Sequence, residues 1–324
     1  MLRFFFAVIT ASLLALPSYS CGIATHAWVS KLAVTKVDGD LRAFAEKHLD
    51  VIYNGSYFPD SGYSDWMCNA SYGETAHWPP FLNDYLDYIK ETCRLPNGKM
   101  DITGECGTLI AFLLGTASHG LTDNWHDSHF LVTMVHMGFF PDENAAQSVT
   151  DRGLDATAVN NPEFGIDNDV PEPDAKPKIE HLVAILNRTL SANGDPMIGP
   201  DVVKCATELM SFARMTEPFW AYYKEKDYLL LIPSWALKHR LDAAGGIYDN
   251  ADHIATFWKE FWIQITETPK SEYKPKRLRN TGSWPYIRIW WESIHLGKTK
   301  SRSKTPSRPS EATRTFIKTL THTD

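Results

Sequence analysis

The stretch LIAFLLGTASHGLTDNWHDSH, residues 109–129, decides how the rest of the chain is read. Its first nine residues are apolar or small on every side, a pattern expected of a helix surrounded by protein. The helix is predicted over about 108–135. Each helical residue turns about 100°, so His119, Asp123 and His126, at i, i+4 and i+7, fall within a narrow arc. Two imidazoles and a carboxylate on an otherwise apolar helix need partners, because an unpaired buried charge costs several kcal/mol. A divalent cation satisfies all three at once, and imidazole with carboxylate and no thiolate cluster favours zinc. A polar stripe lining a solvated groove is the alternative.

Outward from this helix the pattern is helical almost throughout. Helices are predicted at Thr25–Thr35, Leu41–Tyr53, Pro80–Cys93, and about 178–192, 200–215, 217–240 and 247–267. In the fourth of these, Ile179, Leu182, Val183, Leu186 and Leu190 share one face. Residues 54–79 are rich in Gly, Ser, Tyr and Asp and read as a long loop. Residues 155–176, with Glu163, Asp167, Asp169, Glu172, Asp174 and three prolines, read as an acidic surface loop. No internal repeat is evident. The expected fold is all-α, a single multi-helix bundle domain with a metal-binding cleft.

The two ends differ from the middle. Arg3, an apolar run from Phe4 to Pro17, and small residues at Ser18 and Ser20 read as a secretory signal peptide over 1–20, which makes Cys21 the mature N-terminus. Residues 297–324 carry seven Lys/Arg and two acids and read as a disordered basic tail. The body, 21–296, has 24 basic and 37 acidic residues. A body so acidic is a poor general binder of nucleic acid, since phosphate affinity is largely cation-driven, and it suits a protein that gathers cations. No later segment reaches the ~20 residues a transmembrane helix requires, so a secreted, extracellular protein is expected. Of Cys21, Cys68, Cys93, Cys106 and Cys205, an oxidising compartment should pair some, and Cys93 with Cys106 is one candidate pair. Asn54, Asn69 and Asn187 head glycosylation sequons.

Upstream lie His26 in CGIATHAW, Asp60 in YFPDSGY and His77 in GETAHWPPF. A single His or Asp is usually structural. Their order carries more information: GIATH, then NGSYFPD, then ETAHWPPFL, then GTASHGLTDNWH resembles the zinc-dependent phospholipase C family. The closest branch is the N-terminal catalytic domain of glycosylphosphatidylinositol-specific phospholipase D. AGGIYDNADHIATFW, 244–258, resembles a later helix of that branch, so the resemblance spans about 21–262.

The resemblance implies an all-α bundle, of the kind shared with P1-type nucleases, holding two or three zinc ions in a cleft. By motif, Asp60, His77, His119 and Asp123 correspond to the ligands of one zinc. Asp123 bridges to a second zinc held by His26 and the terminal amine of Cys21. A third takes His126 and Asp151. Here the sequence departs from the family: Gln147 stands where a His is expected, which puts the third zinc in doubt, and a short Asp123-to-His126 spacing leaves His129 as a rival ligand. His129 lies off the arc unless the helix breaks, and no Pro is present to break it.

The chemistry implied is hydrolysis of a phosphodiester in a phospholipid or GPI-type glycolipid at a membrane surface, C- or D-type. Asp60 is expected to act as ligand and general base. Tyr57, Tyr63, Trp66 and Trp78 lie near these ligands and are candidate substrate contacts, as against core packing. Trp284, Trp290 and Trp291 beside the basic tail read as packing on the bundle, with the tail a solvated end; contact with an anionic membrane surface is the alternative. Two rival readings stand. One is the zinc nucleases of the same architecture, whose longer Asp-to-His spacing and Gln-Pro pair are absent here. The other is a non-catalytic lipid- or glycan-binding descendant, which Gln147 favours.

Overall fold

The structure, a computed structural model, describes residues 22–160 and 172–266. Among these residues there is no strand, only one isolated bridge between Arg94 and Met100. The signal peptide, Cys21, the acids between 161 and 171, the three late tryptophans and the basic tail lie outside the described residues.

The chain order is α1 (Ile23–Lys36), α2 (Gly39–Lys47), α3 (Leu49–Ser61), α4 (Asp65–Cys68), α5 (Gly73–His77), α6 (Pro79–Thr92) and α7 (Gly104–Trp125). A π-helical segment, His126–Leu131, then leads through α8 (Val132–His136) to α9 (Glu143–Asn160), α10 (Ile179–Asn193), α11 (Pro200–Leu229), α12 (Ser234–His239) and α13 (Ile247–Thr266). The predicted central helix is α7, buried without a break from Leu109 to Asp123. It packs against α3, α6, α1 and α13.

Two glycines set the closest crossing. A Cβ on Gly55 of α3 would lie 2.3 Å from the Phe112 carbonyl oxygen, and one on Gly115 of α7 would lie 2.0 Å from that of Ile52. The two backbones therefore touch where any side chain would hold them apart. Thr116 reinforces the contact by donating to the Gly55 carbonyl at 3.3 Å.

Several expectations are corrected. The region 54–79 is not a loop: α3 continues to Ser61, and α4 and α5 follow. Its glycines mark close approach rather than irregularity, since a Cβ on Gly62 would sit 2.2 Å from the Gly73 nitrogen. The single helix read at 41–53 is two, divided at His48. The acidic loop begins later than 155, because α9 runs to Asn160. The break placed at 216 is absent: α11 runs through Pro218 and ends at Leu229. Pro218 removes only one backbone rung, and the buried Arg214–Glu217 pair, 2.8 Å apart, anchors the same turns to the core.

Two disulfides tie the helices, Cys93–Cys106 and Cys68–Cys205. The second joins α4 to α11. Of the sequon asparagines, the side-chain amides of Asn54 and Asn187 already donate to backbone carbonyls at 2.9–3.0 Å, whereas Asn69 is exposed with a left-handed backbone.

Candidate metal centre

Four helices bring the predicted donors together. His26 lies in the first turn of α1, and that turn is held by acids from elsewhere in the chain. Asp155 of α9 accepts the backbone N–H groups of Ala24 and Thr25 and the Thr25 hydroxyl at 2.7–3.3 Å, and Glu217 of α11 accepts the Ala24 N–H at 3.2 Å. Carboxylates at a helix N-terminus satisfy orphan donors and suit the helix dipole. Arg214 balances Glu217.

His77 closes α5, Asp60 lies near the end of α3, and His119 and Asp123 face the same way from α7. His26 Nε2 is 3.1 Å from Asp123 Oδ1, and His119 Nε2 is 3.2 Å from Asp123 Oδ2. His77 Nε2 lies 3.5 Å from Asp123 Oδ2 and 2.9 Å from His119 Nε2. Asp60 Oδ1 stands 3.6 Å from both His77 and His119. The donor atoms of His26, Asp60 and His119 all lie within 4.8 Å of one another, as do those of His77, His119 and Asp123.

The far sides of two rings are already committed. His77 Nδ1 meets the Gly73 carbonyl at 2.7 Å and His119 Nδ1 meets that of Ser56 at 2.6 Å. A carbonyl accepts only, so each Nδ1 carries the hydrogen and each Nε2 is left as the free donor atom, the arrangement found behind metal-bound histidines. Both oxygens of Asp123, Asp60 Oδ1 and His26 Nε2 are buried without a hydrogen bond. Such groups fit a divalent cation and are costly without one.

The electrostatics follow. Burial alone would raise the pKa of Asp60 and Asp123, but the histidines outweigh it: His119 and His77 hold Asp60, and His119 and His26 hold Asp123, well below the usual carboxylate range. His119 is pushed up to about 10, its burial outweighed by Asp123 and Asp60.

A second group lies beside the first. His126 is brought down to about 4 by burial, so it is neutral, and its Nδ1 donates to the Gly245 carbonyl at 3.2 Å. Its Nε2 has no partner. Asp151 is buried, with both oxygens unpaired, and its carboxyl is pushed well up by burial and by Asp127 and Asp123. His126 and Asp151 line one cavity. Here α7 does not continue as the uniform helix expected, despite the absence of Pro. The π-helical segment starts at His126, where the loop before α13 presses in: a Cβ on Gly245 would lie 2.8 Å from both the Trp125 oxygen and the Phe130 nitrogen. Such segments recur at functional sites. His129, the rival ligand, instead packs its ring 4.0 Å from that of Trp125.

The expected substrate contacts divide. Tyr63 and Trp78 flank His77 at ring distances of 5.3 and 5.7 Å, and both donate to Glu74, at 2.8 and 3.0 Å. Trp66 is exposed. Tyr57 is corrected: it is buried and its phenol lies beside Arg214, so it belongs to the core. Sequence reasoning missed Asp127, buried and four residues past Asp123. It was legible as the next member of the i, i+4, i+8 series from His119.

The model of the family described as zinc dependent phospholipase C matches residues 25–195, more than half of the chain. Phosphatidylinositol-glycan-specific phospholipase D of Mus musculus is 34% identical over 147 residues, covering 43% of this chain and 17% of that protein. The protein of that name from Dictyostelium discoideum is 37% identical over 111 residues, 33% of this chain and 11% of its own length. The one from Homo sapiens is 31% identical over 148 residues, with 42% and 17% covered. The chain thus aligns with less than a fifth of these relatives. No solved structure matches it significantly.

Proposed function

The chain belongs to the zinc dependent phospholipase C family, and from that premise we propose that it is a secreted zinc-dependent hydrolase of lipid phosphodiesters. Its substrate is a phospholipid or a GPI-type glycolipid presented at a membrane surface. One observation carries the reading: three imidazole Nε2 atoms and two carboxylates converge, with His77 and His119 locked from behind by backbone carbonyls.

In this proposal His26, Asp60, His77, His119 and Asp123 would hold zinc, with the amine of Cys21 as a further donor. His126 and Asp151 serve an adjacent ion. Zinc bound there supplies Lewis acidity to the phosphodiester and lowers the pKa of water towards neutrality. The chain's own groups do the rest. Asp60, ionised and with its side chain 11% exposed, would take the proton of the incoming water. Tyr63 and Trp78, fixed on Glu74, and exposed Trp66 offer flat apolar contacts to the lipid or its glycan. Among the described residues no helix is long and apolar enough to cross a membrane.

The test is zinc per chain on purified secreted protein, with phosphodiester cleavage measured before and after EDTA. His119→Ala and Asp123→Asn are each expected to lower zinc content and activity together. Wild-type zinc and turnover in both variants would refute the site. Product analysis on phosphatidylcholine and on a GPI-anchored protein separates C-type from D-type cleavage.

A further inference from the structure

The cavity beside the main cluster holds more donors than the two already named. Asn250 of α13 is 2% exposed and lines the same cavity as His126 and Asp151. Its amide orientation is fixed by chemistry: Nδ2 donates to the carbonyls of Gly245 and Gly246 at 2.8 and 3.1 Å. Two carbonyls can only accept, so the NH₂ faces them and Oδ1 faces away. That Oδ1 has no hydrogen-bond partner, nor do His126 Nε2 and both oxygens of Asp151. Four buried acceptor atoms, all of metal-donor type, therefore belong to three residues that line one cavity. Asp127, 5% exposed and with Oδ1 also unpaired, is a further buried carboxyl that disfavours ionisation of Asp151 in the absence of a cation. Arg240 lines the cavity too, with its Nη1 held on the Leu237 carbonyl. Gln147 is not among the lining residues.

We propose that Asn250 is a ligand, with His126 and Asp151, of a distinct divalent-cation site that does not use Gln147. Its donor set is one imidazole and two or three oxygens, against the imidazole-rich cluster of His26, His77 and His119. Zinc binds both kinds of set more tightly than manganese, but its advantage is smaller on oxygen-rich ones, so excess manganese displaces zinc from this site before it does so from the main cluster. The inference deepens the proposed function and rests on the main cluster binding metal.

The experiment is native mass spectrometry of the full secreted chain, titrated with zinc alone and with manganese alone, with thermal melting in parallel. The wild type is expected to take up one ion more than Asp151→Asn. The same variant, which replaces a buried carboxylate with a neutral amide, should melt higher than wild type without metal and lose the metal-induced rise of this site. Asn250→Ala should weaken this ion at least tenfold. Asn250→Asp should tighten it, since it supplies a charged oxygen. A residue that merely clamped the Gly245 loop would give weaker binding, because the Asp lacks the NH₂ donor. If His119→Ala strips metal while Asp151→Asn and Asn250→Ala bind as many ions as wild type, with the same affinity, the inference is overturned and the proposed function stands. If the wild type takes up no ion, both fall.

Discussion

Gly115→Ala should damage the metal centre from a distance. The new Cβ would stand 2.0 Å from the Ile52 oxygen and 2.9 Å from the Ser56 nitrogen. Ordinary contact begins at about 3.4 Å, so α3 and α7 must part locally by ~1.4 Å. Backbone against backbone cannot relax by turning a rotamer. Overpacking of this kind costs about 1–3 kcal/mol. The separation also stretches the 2.6 Å bond from His119 Nδ1 to the Ser56 carbonyl, worth roughly 1 kcal/mol. The better helix propensity of alanine returns about 1 kcal/mol, leaving a net loss of ~1–3 kcal/mol. Asp60 rides on α3 and His119 on α7, so zinc affinity should fall with stability. Urea unfolding of the metal-free chain and zinc titration of the folded chain read the two effects. Gly199→Ala is the control: nothing lies within 4 Å of its added Cβ, and the lost N-cap preference should cost about 0.5–1 kcal/mol without touching zinc affinity. A Gly115→Ala chain that unfolds at the wild-type midpoint and binds zinc normally would refute this account of the crossing.

Stability of the metal-free chain should fall between pH 6.5 and 8. Asp127, raised to about 8 mainly by burial and next by Asp123, and His119, raised to about 10, both hold protons that the unfolded chain has released. Their stabilisation is lost as pH rises towards the folded values. The opposing gain from His126, lowered to about 4, is complete by about pH 6.5. Roughly two protons over this window amount to ~2–4 kcal/mol; urea midpoints in EDTA that rise with pH would contradict it, and saturating zinc should abolish the fall. Cys68→Ser with Cys205→Ser opens a closure of 137 residues, worth about 5 kcal/mol on the chain-entropy model, against about 3 kcal/mol for the Cys93–Cys106 loop, so denaturant midpoints should rank the two double variants in that order. Glu74→Ala releases Tyr63 and Trp78 from their shared acceptor. It should raise KM for lipid while zinc content and melting stay at wild type, and an unchanged KM would remove these aromatics from the substrate path.

What could be read in the sequence was whatever local spacing encodes. His119 and Asp123 at i and i+4 on an apolar helix announced a buried polar face, and the ordered motifs around His26, Asp60 and His77 supplied donors that the fold brings within 4.8 Å of that face. What escaped depended on contacts between distant segments. Gly55, Gly62 and Gly73 read as loop residues because only the packed structure shows backbones that a Cβ would strike. The π-helical segment has no signal within its own residues, since Gly245, 119 residues away from His126, presses against it. Asn250 looked like an ordinary polar residue, and its role depends on two carbonyls that fix its amide. Tyr57 was placed by its neighbours in sequence, whereas Arg214 decides its surroundings.

The acidic balance of the body now has a location. Among the described residues, Asp123, Asp127, Asp151, Asp155 and Glu217 are buried, and Asp60 nearly so. Two of the six are answered within the protein: Asp155 caps α1 with backbone N–H groups, and Glu217 pairs with Arg214. Of the other four, Asp60 and Asp123 face histidines, whereas Asp127 and Asp151 have further acids as their charged neighbours. A histidine that neutralises a carboxylate must hold a proton, and one that binds metal must give it up, so His119 cannot do both. Protonated, it leaves Asp127 and Asp151 to be kept neutral by burial, at a cost in stability that grows with pH. A divalent cation replaces that proton with two charges in the same place and answers the neighbouring carboxylates as well. The fold is therefore built around a charge it does not itself carry, and metal binding and folding stability should be linked in every variant that touches these four acids.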